Sequence, residues 1–318
     1  MQENEKKSPV RLETIDDDQA GQRIDNFLLT KLKGIPKSHI YRLLRKGEVR
    51  VNKGRIKPVY RLKSGDIVRI PPVRQGERAN KVTPDQLVLR RLESSILFED
   101  KHFLILNKPT GIAVHGGSGL AYGIIEGLRA LKPEEKYLEL VHRLDRETSG
   151  CLIIAKRRSF LRALHEQLRN KQTEKRYLAL VRGEWTDGER RINAPLYKNV
   201  LQSGERLVRV NQQGKEACSI FIPKIRSHKA SLMELIPVTG RTHQLRVHAA
   251  HINYPIAGDT KYGDENFNKV MRSIGLKRLF LHAHFIRFQL PDGQNREFSA
   301  PLPEELQKVV DKIQTTKC

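Results

Sequence analysis

The run His142-Arg143-Leu144-Asp145-Arg146-Glu147-Thr148-Ser149-Gly150 sets one short carboxylate, Asp145, between two arginines and closes in small residues and glycine. The apolar segment Cys151-Leu152-Ile153-Ile154-Ala155 follows at once, so the run reads as a turn leading into a buried strand. Opposite charge within a few Å lowers a carboxylic acid's pKa by about 1–3 units, so the flanking cations are expected to hold Asp145 ionised. An ionised carboxylate at a turn can act as nucleophile or base. The same charge pattern also suits an Asp–Arg pair that only caps a turn.

Around this run the pattern is strand-rich. Ile96-Leu97-Phe98 and Phe103-Leu104-Ile105-Leu106 flank a polar turn and predict a hairpin. Further strand patterns lie at 152–155, 177–181, 206–210, 231–236 and 280–289, and helical ones near 122–131, 159–169, 242–251 and 304–313. Long strand runs with few intervening helices favour an α+β fold with a mixed, largely antiparallel sheet over an alternating doubly wound one.

The N-terminal part has a different character. Residues 1–12 are polar and expected to be flexible. Ile24, Phe27, Leu28 and Leu32 mark one helix, and Ile40, Leu43 and Leu44 the inner face of a second that starts near Lys37 and is capped by Gly47. Short strands at 49–51 and 66–70 complete a small α/β module over 13–72. Between Lys31 and Lys63 there are twelve Lys or Arg and one acid, Glu48. A solvated helix face normally mixes signs for i,i+4 pairing. This one-signed face suits phosphate contacts that position RNA without reading sequence, with Arg42, Arg45 and Lys46 as candidates. Pro71-Pro72 and the charged, glycine-containing stretch after them read as a linker over 73–90, leaving 91–318 as a second, larger domain.

Composition narrows the partners. The chain has 318 residues, enough for two cores, and a formal net charge of +23. That balance attracts polyanions, nucleic acid foremost. A membrane-surface role would need an amphipathic basic helix or lipidation signal, and neither is found. Cys151, Cys218 and Cys318 are odd in number and far apart, which implies a reducing compartment, and the polar N-terminus does not read as a signal peptide. A cytoplasmic protein is expected.

Several segments share one resemblance. His142-Arg143-Leu144-Asp145 with Thr148-Ser149-Gly150 resembles the signature of the pseudouridine synthases that modify ribosomal and transfer RNA. Asn107-Lys108-Pro109-Thr110-Gly111 with His115-Gly116-Gly117 resembles the family's early loop, and Lys175-Arg176-Tyr177 its tyrosine motif. The run from Gly240-Arg241-Thr242-His243 to Val247-His248 resembles its arginine motif, and Leu281-His282-Ala283 stands before the expected closing strand. The N-terminal module is similar to a small RNA-binding domain first known from a ribosomal protein of the small subunit. The resemblance implies a substrate, large-subunit ribosomal RNA or its precursor particle, and a reaction, isomerisation of uridine without cofactor or metal. It places Asp145 as the catalytic group, Tyr177 against the target base and Arg241 as the ion partner of Asp145. Arg143 is implied in the gap left by a flipped-out base, and His115 and His243 in substrate binding. A monomer is expected.

Other readings stay open. Glu147 lies too close in sequence to Asp145 to provide dependably the ~5–9.5 Å carboxylate separation of a glycosidase pair. His243, His248 and His251 lack an HExxH pattern, so core or RNA contacts outrank a metal. Gly116-Gly117-Ser118-Gly119 lacks the ending of a phosphate loop and reads as a mobile loop near the site. A hydrolase lacks a convincing acid set. A non-catalytic RNA-binding or ribosome-assembly factor, or a synthase acting on another structured RNA, shares the same charge.

Overall fold

The computed structural model describes residues 9–17, 19–32, 34–73, 84–116, 122–200 and 206–315. The chain divides into two compact units, Met1–Val82 and Thr83–Cys318.

In the first unit, β1 (Arg11–Thr14) precedes helices α1 (Ile24–Lys31) and α2 (Lys37–Lys46), and strands β2 (Arg50–Val51), β3 (Gly54–Arg55) and β4 (Ile67–Ile70) follow. The strands form an antiparallel sheet in the order β1-β4-β2-β3. Ile24, Phe27 and Leu28 of α1 and Ile40, Leu43 and Leu44 of α2 bury a common face, as their spacing predicts. Gly47 closes α2 at φ 69°, and its N–H returns to the carbonyls of Leu43 and Leu44. Of the segment 1–12 expected to be flexible, Arg11 and Leu12 instead pair with Ile70 and Arg69, and residues 1–8 lie outside the described residues. Leu12 faces outward, so no apolar alternation announced that strand.

The second unit opens with α3 (Gln86–Glu93) and the expected hairpin β5 (Ile96–Glu99) and β6 (Phe103–Lys108). Next come α4 (Ile124–Leu131), β7 (Glu139–Leu140), β8 (Ser149–Ala155), α5 (Arg158–Arg169), β9 (Glu174–Arg182), β10 (Arg190–Asn193), β11 (Leu196–Val200) and β12 (Arg206–Val210). The remainder is β13 (Cys218–Ile225), β14 (Ala230–Pro237), α6 (Gln244–His251), α7 (Glu265–Ser273), β15 (Leu281–Gln289), β16 (Asn295–Ser299) and α8 (Glu304–Thr315). One sheet runs β10-β13-β14-β9-β15-β8-β6-β5, with β16 joined to β15 and β7 to β8. Among the described residues only β15 and β8 pair in parallel, so the sheet is mixed and largely antiparallel. The fold class is α+β.

Strand alternation assigns the two faces. Leu152 and Ile154 of β8 and Tyr177, Ala179 and Val181 of β9 join α3, α4 and α6 in one core. Cys151, Ile153 and Ala155 turn the other way, onto α5. Leu180 of β9 packs with α7 and α8. All seven residues of β8 are buried, so the turn carrying Asp145 is anchored to a strand covered on both sides. Gly150 is required at that anchor. Its φ is 109°, and a Cβ there would overlap the Ala283 backbone of the parallel partner strand.

The linker expected over 73–90 contracts. Val73 belongs to the first core, and α3 begins at Gln86 and buries Leu92. The rest of that expectation falls largely on 74–83, outside the described residues. The glycine-rich loop at 116–119 is likewise described only at Gly116.

Candidate active site

A cleft of about 640 Å³ lies where the 142–148 turn, β9 and the 237–246 segment meet. That volume is in the range of small-molecule pockets, which run from roughly 300 to 1,000 Å³. Arg143, Asp145, Tyr177, Arg241 and His243 all line it. His115 is exposed and does not line it, and Arg42, Arg45 and Lys46 lie exposed on α2 of the first unit.

The Asp145 carboxylate is 32% exposed. Arg246 Nη1 lies 3.7 Å and His243 Nε2 3.9 Å from its Oδ2. Neither distance is a hydrogen bond. Among the described residues nothing donates to this carboxylate, so its lone pairs face the cleft uncommitted.

The cation beside Asp145 is therefore Arg246 on α6. Arg241, expected in that place, sits in the turn before the helix, where its Nε donates to the Glu216 carbonyl (3.0 Å) and its N–H to Gln244 Oε1 (3.0 Å). The sequence neighbours do not supply the charge either. Arg146 pairs with Glu147 at 3.6 Å and donates to Gly111 O, while Arg143 is exposed. Glu147 thus has the salt-bridging place read from sequence.

Arg246 is held from behind. Its Nε and Nη2 each donate to Asp259 at 2.7 Å, a bidentate pair with a carboxylate only 1% exposed. Burial works to raise the Asp259 carboxyl, but the Arg246 hydrogen bonds and charge outweigh it and hold the group below its usual range. The third nitrogen of the fork is left to face Asp145.

The loop that presents Asp145 is cross-linked to the 107–111 segment. Lys108, fully buried, donates from Nζ to the carbonyls of Pro109 (2.9 Å), Arg146 (3.0 Å) and Thr148 (2.8 Å). Burial, with the Arg278 charge acting the same way, draws the Lys108 ammonium down to about 7. The three carbonyls are the acceptors that make a buried ammonium tolerable. Thr110 Oγ1 adds a bond to Glu147 O (2.8 Å), and Gly111 N–H one to Arg146 O (3.0 Å). Two stretches far apart in sequence thus form one rigid cradle for a single aspartate.

Residues 102–251 match the family model described as RNA pseudouridylate synthase, and residues 22–68 match the S4 domain. Over 310 residues the chain is 56% identical to the ribosomal large subunit pseudouridine synthase C of Pasteurella multocida (strain Pm70), across 97% of this chain and 95% of that protein. The chain belongs to the RNA pseudouridylate synthase family. This synthase is also 55% identical over 312 residues to the protein of the same name from Escherichia coli (strain K12), across 97% and 98% of the two chains. The structure of human RNA pseudouridylate synthase domain containing 4 matches it with a TM-score of 0.60 at 26% identity, over 72% of this chain and 96% of that one. It is an isomerase.

In the synthase Tyr177 is 9% exposed on β9, at the edge of the cleft. Burial, then the Asp145 charge, pushes its hydroxyl well above the ordinary phenol range, so at neutral pH it presents a neutral ring and no phenolate. Other residues stiffen the site. Gln244 satisfies all of its side chain, accepting from Thr239 Oγ1 and Arg241 N–H and donating to Cys218 O and Ser219 Oγ. His248 is committed at both ring nitrogens, to Ser219 Oγ and Ala194 O (3.0 Å each), so it serves the core. Arg278 donates to Ser149 Oγ (2.7 Å), which lies 2.9 Å from His282 Nδ1, tying the start of β8 to β15.

Proposed function

We propose that this synthase converts uridines of large-subunit ribosomal RNA to pseudouridine, with Asp145 as the reacting group. The observation that carries the reading is the uncommitted Asp145 carboxylate, fixed by a rigid cradle behind it and facing Arg246 in a cleft of nucleotide size. The ribosomal substrate rests on ribosomal large subunit pseudouridine synthases that align with this chain over nearly their full length.

The reaction breaks the N1–C1′ bond of a uridine and forms C5–C1′. The proton lost from C5 leaves to solvent, and N1 takes one up, so no electrons enter or leave. Such a step needs a group that acts at the sugar or the base. It also needs walls that hold the detached ring while it turns. Asp145 supplies the first, and Tyr177 with Leu144, Leu245 and Leu281 supplies an apolar wall. Arg143, exposed at the rim, is placed to fill the stack vacated by the flipped nucleotide. Arg241 lines the same rim with its guanidinium free of carboxylate partners among the described residues, which suits a phosphate. The S4 unit adds Arg42, Arg45 and Lys46 for backbone contacts. The enzyme works as a cytoplasmic monomer, on free RNA or on an assembling particle.

The test is tritium release from [5-³H]uridine in large-subunit ribosomal RNA by wild type and Asp145→Asn. Release by wild type alone is expected. Tight RNA binding without release by either protein would favour a non-catalytic assembly factor, or another structured RNA as substrate.

A further inference from the structure

His243 stands immediately before α6 with φ at 54°, in the left-handed region that few side chains other than glycine adopt. Strain of this kind is retained where surrounding structure fixes it, often at working sites. Here the ring is fixed by Tyr262. His243 Nδ1 lies 2.8 Å from the Tyr262 hydroxyl, with the two rings edge to face at 5.5 Å.

That hydroxyl is already an acceptor, since Val208 N–H donates to it at 3.1 Å. Among the described residues His243 Nδ1 is the only acceptor within reach of that hydroxyl, so its own proton is the one directed at Nδ1. An imidazole that accepts at Nδ1 carries its proton on Nε2. Nε2 is the atom 3.9 Å from Asp145 Oδ2. The Arg246 guanidinium stacks over the Tyr262 ring at 5.1 Å, so the phenol is held in place from its face as well.

The charged groups around this imidazole oppose one another. Burial acts first to disfavour the imidazolium; Asp145 and Asp259 favour it, and Arg246 and Lys261 disfavour it. Burial prevails and holds the imidazole below its ordinary range, and the hydrogen-bond role demanded of Nδ1 acts in the same sense. In an imidazolium, Nδ1–H would have to donate to an oxygen whose own proton then loses its acceptor.

We propose that Tyr262 is a positioning residue for the isomerase, holding His243 as the neutral tautomer whose Nε2–H faces Asp145. The carboxylate then meets substrate without being captured by an adjacent imidazolium. This role rests on the reading of Asp145 as the reacting group.

The test follows tritium release from [5-³H]uridine-labelled large-subunit ribosomal RNA from about pH 5 to pH 8, the range in which a histidine titrates, for wild type, Tyr262→Phe and His243→Gln. Losing the donor to Nδ1 should move the acid limb of kcat/KM upward by about 0.7 pH unit in Tyr262→Phe, equivalent to one hydrogen bond of about 1 kcal/mol. The rate above that limb should stay near wild type. His243→Gln keeps an N–H toward Asp145 but cannot titrate, so this acid limb should vanish. In the intact wild-type protein, ¹⁵N shifts of labelled histidine should show protonated Nε2 and bare Nδ1 for His243 at neutral pH, whether or not the variants fold. A Tyr262→Phe profile that superimposes on wild type, or drops by one factor at every pH, would overturn the proposal; so would the opposite tautomer. A wild type that releases no tritium removes the isomerase reading and this role together, and an active Asp145→Asn removes the role assigned to Asp145. Those results are distinct from an active wild type with an unmoved Tyr262→Phe limb.

Discussion

Arg246 grips Asp259 through two 2.7 Å hydrogen bonds while its remaining nitrogen stands 3.7 Å from Asp145. One guanidinium thus serves a buried carboxylate and a cleft-facing one at once. Only a planar fork with donors on two edges can do this, and a lysine's point charge cannot.

Arg246→Ala should leave Asp259 buried without its cation, costing about 3–5 kcal/mol of stability. Arg246→Lys is the sharper variant. It keeps a positive charge but loses the two-sided contact, so tritium release should fall by about 10–100-fold while the protein stays folded. Urea unfolding and single-turnover release, measured on the same preparations, check both outcomes. Wild-type turnover in Arg246→Lys would show that Asp145 needs only a nearby charge.

Lys108 makes a prediction of another kind, because its ammonium touches only carbonyls. Lys108→Met preserves the shape of the side chain and leaves three acceptors without their shared donor, at about 1–3 kcal/mol for each that stays buried. The cradle should loosen before the unit unfolds. Turnover is expected to drop at least about tenfold, with RNA affinity close to wild type, since the phosphate-binding surfaces are untouched. Filter binding and tritium release, taken together, separate the two effects. A parallel loss of affinity would mean that the 107–111 segment contacts RNA itself.

Much of this site was legible as motif and little of it as contact. Asp145, Tyr177 and His243 line one cleft because turn, strand and helix cap each carry a recognisable local pattern. Arg241 and Arg246 could not be told apart that way. The resemblance pointed to Arg241, which stands outside the helix, since α6 starts only at Gln244 after the left-handed His243. A usable sign was present: Arg246 is the one cation in Gln244-Leu245-Arg246-Val247-His248-Ala249, a helical turn and a half that is buried throughout and must find an acid. Its acid, Asp259, and the contacts of Lys108 with Arg146 and Thr148 join residues remote in sequence, which no periodicity reports. The strand β13 was hidden by Pro223, which sits at a bulge where the register with β14 shifts. Helix α7 carried its signal in Asp264, whose side chain accepts from Phe267 N–H, and in the Phe267 and Met271 pair one turn apart.

The histidines make stability depend on pH in a defined direction. His142 accepts from Ile153 N–H at Nε2, and burial pushes its pKa down to about 3. His282 lies between Ser149 Oγ and Ala300 O and is pushed by burial to about 4. An unfolded histidine titrates near ~6.5. As pH falls below that value the unfolded chain takes up protons that the native state refuses, so stability is full above ~6.5 and declines toward about 4. The limiting slope is about 1.4 kcal/mol per pH unit for each such histidine. Asp259, whose carboxyl is depressed, adds its own loss only below the ordinary carboxylate range. Urea midpoints from pH 7 to about pH 4.5 should fall steadily, and less steeply in His282→Gln. A flat profile between pH 6.5 and 5 would mean that the native rings take up protons as readily as those of the unfolded chain.

The S4 unit carries the last prediction. Arg42, Arg45 and Lys46 are exposed on α2, and none has a carboxylate partner among the described residues. Counterion release ties the salt dependence of RNA affinity to the number of phosphates neutralised, at about 0.7–0.9 in the log–log slope for each. Reversing all three to Glu should flatten that slope by about 2–3 and weaken binding most at low salt. Arg45 and Lys46 lie in the last turn of α2, where acids oppose the helix dipole, so the melting temperature should fall slightly with the fold retained. Release under single-turnover conditions at saturating RNA should also hold near wild type, since Asp145 and Arg246 lie in the other unit. A salt titration of large-subunit ribosomal RNA binding decides it. An unchanged slope would move the phosphate-contacting surface away from α2 and onto the cations of the catalytic cleft, Arg143 and Arg241 first.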